Sequence, residues 1–133
     1  MMESVNMLSG MRMSVDLMAC LGGIYGDLAT DEVIVTNERE QHVKERHHEA
    51  VGEFYNYVRA CVESPEYIYE DPNHMNTVWF IGAISENHLK LVIKLALSKD
   101  DSTRKNSVLT AHIIGAKSLG KILRNKKQIY KKE

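Results

Sequence analysis

From His88 to Leu97 the chain alternates with period two. Leu89, Leu91, Ile93, Leu95 and Leu97 fall on one set of positions, and Lys90, Val92, Lys94 and Ala96 on the other. A helix would spread this pattern around its circumference, whereas a strand sorts it onto two faces. The segment therefore predicts a strand with one side on a core and the other, carrying two lysines, open to solvent. Such one-sided strands belong to antiparallel sheets.

The neighbouring segments extend this reading. Val33 to Val35 reads as a short strand. Asn37 and Glu40 have capping-box spacing and open a helix that runs to about His47. A second helix covers Glu49 to Glu63, where Val51, Phe54, Tyr55, Val58, Cys61 and Val62 recur at helical spacing and Ser64-Pro65 ends the run. Strands follow at Tyr67 to Tyr69, Thr77 to Ile84, His88 to Leu97 and Ser107 to Ile114. Asp71-Pro72-Asn73 and Glu86-Asn87 supply turns between them, and Ser98 to Asn106 is a charged loop. Lys117 to Arg124 reads as a short helix, and Ile129-Tyr130 as a final edge strand. Helices first and strands after predict an α+β fold, with N-terminal helices packed on a roughly four-stranded antiparallel sheet.

Residues 1–30 are Met-rich and interrupted by Arg12 and Asp16. They read as a partly ordered leader to a single domain at 31–133, too short and broken for a membrane span. The glycine-rich Leu21 to Gly26 lacks the spacing and lysine of a phosphate loop and reads as a turn. Cys20 and Cys61 form neither a zinc motif nor a disulfide framework, which suits a reduced cytoplasmic setting.

The net charge of −1 conceals a strong asymmetry. Through Asp101 there are 17 acidic and 8 basic residues, and beyond it 9 basic and one acidic. A basic end on an acidic body either folds back onto that body or meets an anionic partner.

Two groups of residues suit phosphodiester chemistry. His42 and Arg46 lie one turn apart on the first predicted helix, with His47 about 140° around from His42. This is not the His-Glu-x-x-His spacing of a zinc site, so neither a metal nor another cofactor is expected. As structure alone, such histidines are surface or helix-end groups favoured by the dipole. Lys90 and Lys94 share one strand face, as do Thr110 and His112. If these strands are neighbours and the faces coincide, lysine, threonine and histidine gather on the sheet. Histidine suits acid and base roles near neutrality, and lysine, arginine and threonine suit phosphate. The plain alternative is a solvated sheet face. The tail, with Lys126, Lys127 and Tyr130, could track a nucleic-acid backbone and offer one stacking surface.

From about Asp31 to Glu133 the chain resembles phage-type members of the barnase–EndoU–colicin–RelE-like (BECR) nuclease superfamily. The resemblance is carried by Thr30 to Thr36, His42-Val43-Lys44-Glu45-Arg46-His47, Ser64-Pro65-Glu66-Tyr67-Ile68 and Asp71 to Thr77. It continues through Lys105 to Thr110 and Leu123 to Lys132. It implies helices against a four-stranded antiparallel sheet and a metal-independent endoribonuclease of phage, prophage or toxin type. The 2′-OH of RNA would attack and leave a 2′,3′-cyclic phosphate. His42, His47 and Thr110 would be catalytic, and Arg46, Lys94 and Ser107 would bind phosphate. His112 departs from the usual residue, and His48 stands where a proline often follows the second histidine. RNA is the implied substrate, and an immunity or antitoxin protein the implied partner. The alternatives on the same fold are a non-catalytic RNA-binding module and a phage interaction protein.

Overall fold

The computed structural model describes residues 11–35, 51–84, 86–97 and 105–132. In chain order these form β1 (Met11–Ser14), α1 (Leu17–Leu21), β2 (Glu32–Val35), α2 (Val51–Glu63), β3 (Tyr67–Glu70), β4 (Thr77–Ile84), β5 (Asn87–Lys94), β6 (Asn106–Ile114), α3 (Ala116–Asn125) and β7 (Gln128–Lys131).

Among the described residues the strands make one seven-stranded sheet in the order β1-β2-β6-β5-β4-β3-β7. Neighbours are antiparallel except β2 and β6, which run parallel through Val33 opposite Asn106 and Ile34 opposite Ser107. The expected N-terminal helices on a roughly four-stranded antiparallel sheet are therefore wrong. The sheet is larger and mixed, and α2 and α3 follow strands. The reason is non-local pairing. β1 and β2 join the sheet beside β6, some seventy residues later in sequence, and β7 extends it beyond β3. Alternation within one strand does not encode a partner so distant. The helix expected before His47 lies outside the described residues.

The stretch read as a leader contributes β1 and α1. Met13, Leu17 and Leu21 are buried in the main core. Asp16 starts α1 by accepting a hydrogen bond from the Ala19 amide at 3.0 Å, an ordinary N-cap. Arg12, which interrupts the apolar pattern, points outward and bridges to Glu32 at 3.2 Å.

α2 lies over the face of β4 and β5 that carries Val78, Phe80, Leu89, Leu91 and Ile93. All five are fully buried. Gly82 lets the helix approach closely, because a Cβ there would meet Cys61 Sγ at 3.1 Å. Burial drives the Cys61 thiol far up from its ordinary pKa, with Glu66 adding to the rise, so it behaves as a small hydrophobe. α3 covers part of the opposite face, where Leu119 and Ile122 pack with Tyr69, Trp79 and Ile81.

Most strand bounds agree with the sequence pattern, and β4 occupies the expected Thr77 to Ile84. The following turn comes one residue early, since Asn87 already pairs with Ile84. β5 stops at Lys94. Beyond it, Leu95, Ala96 and Leu97 are all buried and their amides turn elsewhere, Leu95 to the Asn76 carbonyl and Ala96 to the Asn106 side chain. Asn76 adopts φ of 52°, a left-handed conformation that asparagine tolerates better than most residues. It closes the Asp71–Thr77 turn.

Candidate nucleic-acid interface

β5 and β6 are adjacent, and their register decides which polar side chains meet. Lys90 lies opposite His112, Val92 opposite Thr110, and Lys94 opposite Ser107. A register shift occurs in between, because Ile93 pairs with Val108 while Val92 pairs with Thr110, leaving Leu109 as an extra residue. This is a β-bulge. It puts Ser107 on the same face as Thr110 and His112, although Ser107 and Thr110 are three residues apart. The conditional cluster of lysine, threonine and histidine thus forms, on the face that also receives α3.

The cluster rests on a buried polar relay. Lys90 Nζ sits 4.2 Å from the centre of the Trp79 ring, a cation–π contact. Trp79, only 9% exposed, donates its Nε1–H to Asp71 Oδ2 at 3.1 Å. The other Asp71 oxygen accepts the Asn73 amide at 2.8 Å and lies 3.2 Å from His74 Nδ1. Burial pushes the Asp71 carboxyl upward. Hydrogen bonds from Asn73, His74 and Trp79 outweigh it and hold the group below its ordinary range. Lys90 is shifted down, chiefly by burial. Asp71 opposes that shift and Lys126 adds to it. Lys126 ends α3, its amide donating to the Ile122 carbonyl at 3.0 Å.

The remaining groups form the open part of the face. Thr110 Oγ1 and His112 Nε2 share a hydrogen bond of 3.0 Å, and both residues are exposed. Lys94 Nζ donates to the Met75 carbonyl at 3.2 Å. The Ser107 hydroxyl donates to the Lys105 carbonyl at 3.2 Å. Lys127 bridges to Glu70 at 3.5 Å, and its exposure makes the pair weak. Tyr130 is partly buried and packs against the main core. His42, Arg46 and His47 lie outside the described residues. Thr110, Ser107, Lys94 and His112 come together.

Sequence reasoning missed the Asp71–Trp79 pair beneath Lys90. A signal was present. Trp79 alternates with core residues Val78 and Phe80, so it occupies the opposite face, where a buried indole N–H needs an acceptor. Asp71 was legible only as a turn residue. Lys105, absent from the expected set, reaches Glu32 Oε1 at 3.0 Å beside Ser107.

Among the described residues, no three His, Cys, Asp or Glu side chains gather where they could hold a metal ion. Nor is any helix long and apolar enough to cross a membrane. No family model, curated protein or solved structure matches the chain.

Proposed function

We propose that this chain binds RNA through its phosphate backbone along the β5–β6 face. The observation that carries the reading is the cross-strand register aligning Lys90 with His112, Val92 with Thr110 and Lys94 with Ser107. Four residues of strand separate the two lysines, about 13–14 Å at 3.4 Å per residue. Cations and hydroxyls so spaced suit successive phosphates better than one compact anion. The basic 105–132 segment, with eight lysines and arginines and no acid, supplies a positive field around the strip. The single tryptophan is held under Lys90, so base stacking on it contributes nothing. Binding is therefore backbone-directed and tolerant of sequence.

The test is fluorescence anisotropy with a single-stranded RNA across a salt series. Affinity should fall steeply with salt, and each lost phosphate contact should flatten the log–log slope by about 0.7. Lys90→Ala and Lys94→Ala should each remove about one such contact. Wild-type binding no tighter than that of the double variant would end this reading.

A second reading, metal-independent RNA cleavage, is favoured by one specific contact. The Thr110–His112 hydrogen bond places a hydroxyl against an imidazole opposite Lys90. An imidazole can serve as acid or base, and a hydroxyl with a lysine can stabilise a charged phosphorane. End-labelled RNA incubated in excess EDTA should then give cyclic-phosphate products. His112→Ala and His47→Ala should each lower the rate by about 10²–10⁴-fold if that histidine is the acid or base. No products from wild type would leave the binding reading alone.

A further inference from the structure

A cavity of about 280 Å³ opens where β5 leaves the sheet and β6 enters it, lined by Lys94, Leu95, Ala96, Lys105 and Ser107. Its base is rigid. The side chain of Asn106, 0% exposed, accepts the Ala96 amide at 2.8 Å and donates to the carbonyls of Thr30 and Glu32, both at 2.9 Å. One buried amide thus ties the exit of β5, the start of β6 and the approach to β2 into a single frame.

The rim carries more positive than negative charge. Lys94 and Lys105 flank the opening. Glu32 accepts Lys105 at 3.0 Å and Arg12 at 3.2 Å. Among the described residues the lining holds two lysines and no acid, and Glu32, which reaches Lys105, divides its charge with Arg12. Lys105 keeps 37% of its side chain exposed and can swing from Glu32 to an incoming anion. The Ser107 hydroxyl, now on the Lys105 carbonyl, can rotate toward the same point.

We propose that this cavity is a subsite for a terminal phosphate monoester. Charge separates this group from an internal phosphodiester. A monoester carries about −1.5 to −2 at pH 7 and three acceptor oxygens, whereas a diester carries one negative charge. Size argues the same way, because the volume falls just under the roughly 300 Å³ at which ligand pockets ordinarily begin. It takes a phosphate and the edge of a sugar and leaves the rest of a nucleotide outside. Position agrees, since the cavity closes the Lys94 end of the strip that begins at Lys90. The assignment of the group to an RNA end rests on the RNA-binding reading; the monoester site itself does not.

The test is an NMR titration of isotope-labelled protein with adenosine 5′-monophosphate, adenosine 3′-monophosphate and adenosine, in parallel with anisotropy on one RNA bearing a 5′-phosphate, a 3′-phosphate or neither. The monophosphates, but not adenosine, should shift the Ala96 and Ser107 amides. Lys105→Ala and Ser107→Ala, both surface changes, should each weaken that binding about tenfold, the usual weight of a hydrogen bond to a charged group. Glu32→Gln should strengthen it by releasing Lys105. The preferred monophosphate should match the phosphorylated RNA end that binds more tightly. Equal shifts with adenosine, shifts spread evenly over the surface lysines, or no loss in Lys105→Ala would overturn the subsite. Tight binding of unphosphorylated RNA with no gain from either end phosphate would also overturn it, while leaving the RNA reading intact. Monophosphate binding without RNA binding would keep the subsite and remove the RNA reading.

Discussion

The two faces of β5 differ sharply in chemistry, although they are built from interleaved residues. Leu89, Leu91 and Ile93 meet α2 with none of their surface in water. His88, Lys90, Val92 and Lys94 lie between them and face the other way, half-buried or exposed. The first face is held by apolar contact, with the Cys61 thiol on the Leu89 carbonyl at 3.9 Å. On the second, a lysine covers an indole, the indole binds a carboxylate, and the carboxylate organises its own turn. One side of the strand can therefore change its chemistry freely as long as the other keeps its volume. Stability and proposed binding are separated by the pleat and not by distance.

Substitutions can break or sharpen this contrast. The largest effect belongs to the apolar face. Phe80→Ala should cost about 3–5 kcal/mol in a denaturant melt, since the side chain is fully buried and leaves a cavity. Gly82→Val should cost about 1–3 kcal/mol by overpacking, because even its first carbon falls 3.1 Å from Cys61 Sγ. On the polar face, Trp79→Phe should cost about 1–3 kcal/mol near neutral pH by stranding a buried Asp71 oxygen. This last cost has a pH signature. The Asp71 carboxyl is depressed in the fold, so its contribution is complete above the unfolded value of about 3.9 and is lost as pH falls through the folded value. Wild type and Trp79→Phe should therefore converge in stability as pH falls through the depressed folded value, and a gap that stays constant on acidification would remove Asp71 as the cause. The smallest effect on stability is Lys90→Met, within about 1 kcal/mol, because the stem still covers the indole. The same change should weaken RNA binding and flatten its salt dependence. A large stability loss without a binding change would reverse the assigned roles of the two faces.

Local pattern was legible and long-range pairing was not. The period-two run of β5, the β-branched and aromatic run of β4 and the stripe of α2 each carry their burial in the spacing of their own residues. The partnership of Val33 with Asn106 depends on a buried asparagine that bonds three backbone groups, and no periodicity announces it. The mixed sheet was missed for that reason. β1 was hidden differently, because four residues beginning at Met11 are too few to show alternation. The candidate site divides along the same line. The lysines, Thr110 and His112 stood out by type and parity. The Asp71–Trp79 support did not, because a turn residue and a strand residue eight positions apart meet only after β3 and β4 pair.

The extra residue at Leu109 acts as a change of reading frame within one strand. Up to Val108 the odd-numbered position Ser107 lies opposite Lys94; from Thr110 onward the even-numbered positions Thr110 and His112 lie opposite Val92 and Lys90. Deleting Leu109 would restore a regular ladder, in which Ser107, Thr110 and His112 keep Lys94, Val92 and Lys90 as their partners on one face. What would be lost is the local bend and added twist that a bulge gives its strand. The extra residue therefore shapes the strip's curvature between its Lys94 and Lys90 ends and does not decide which side chains belong to it.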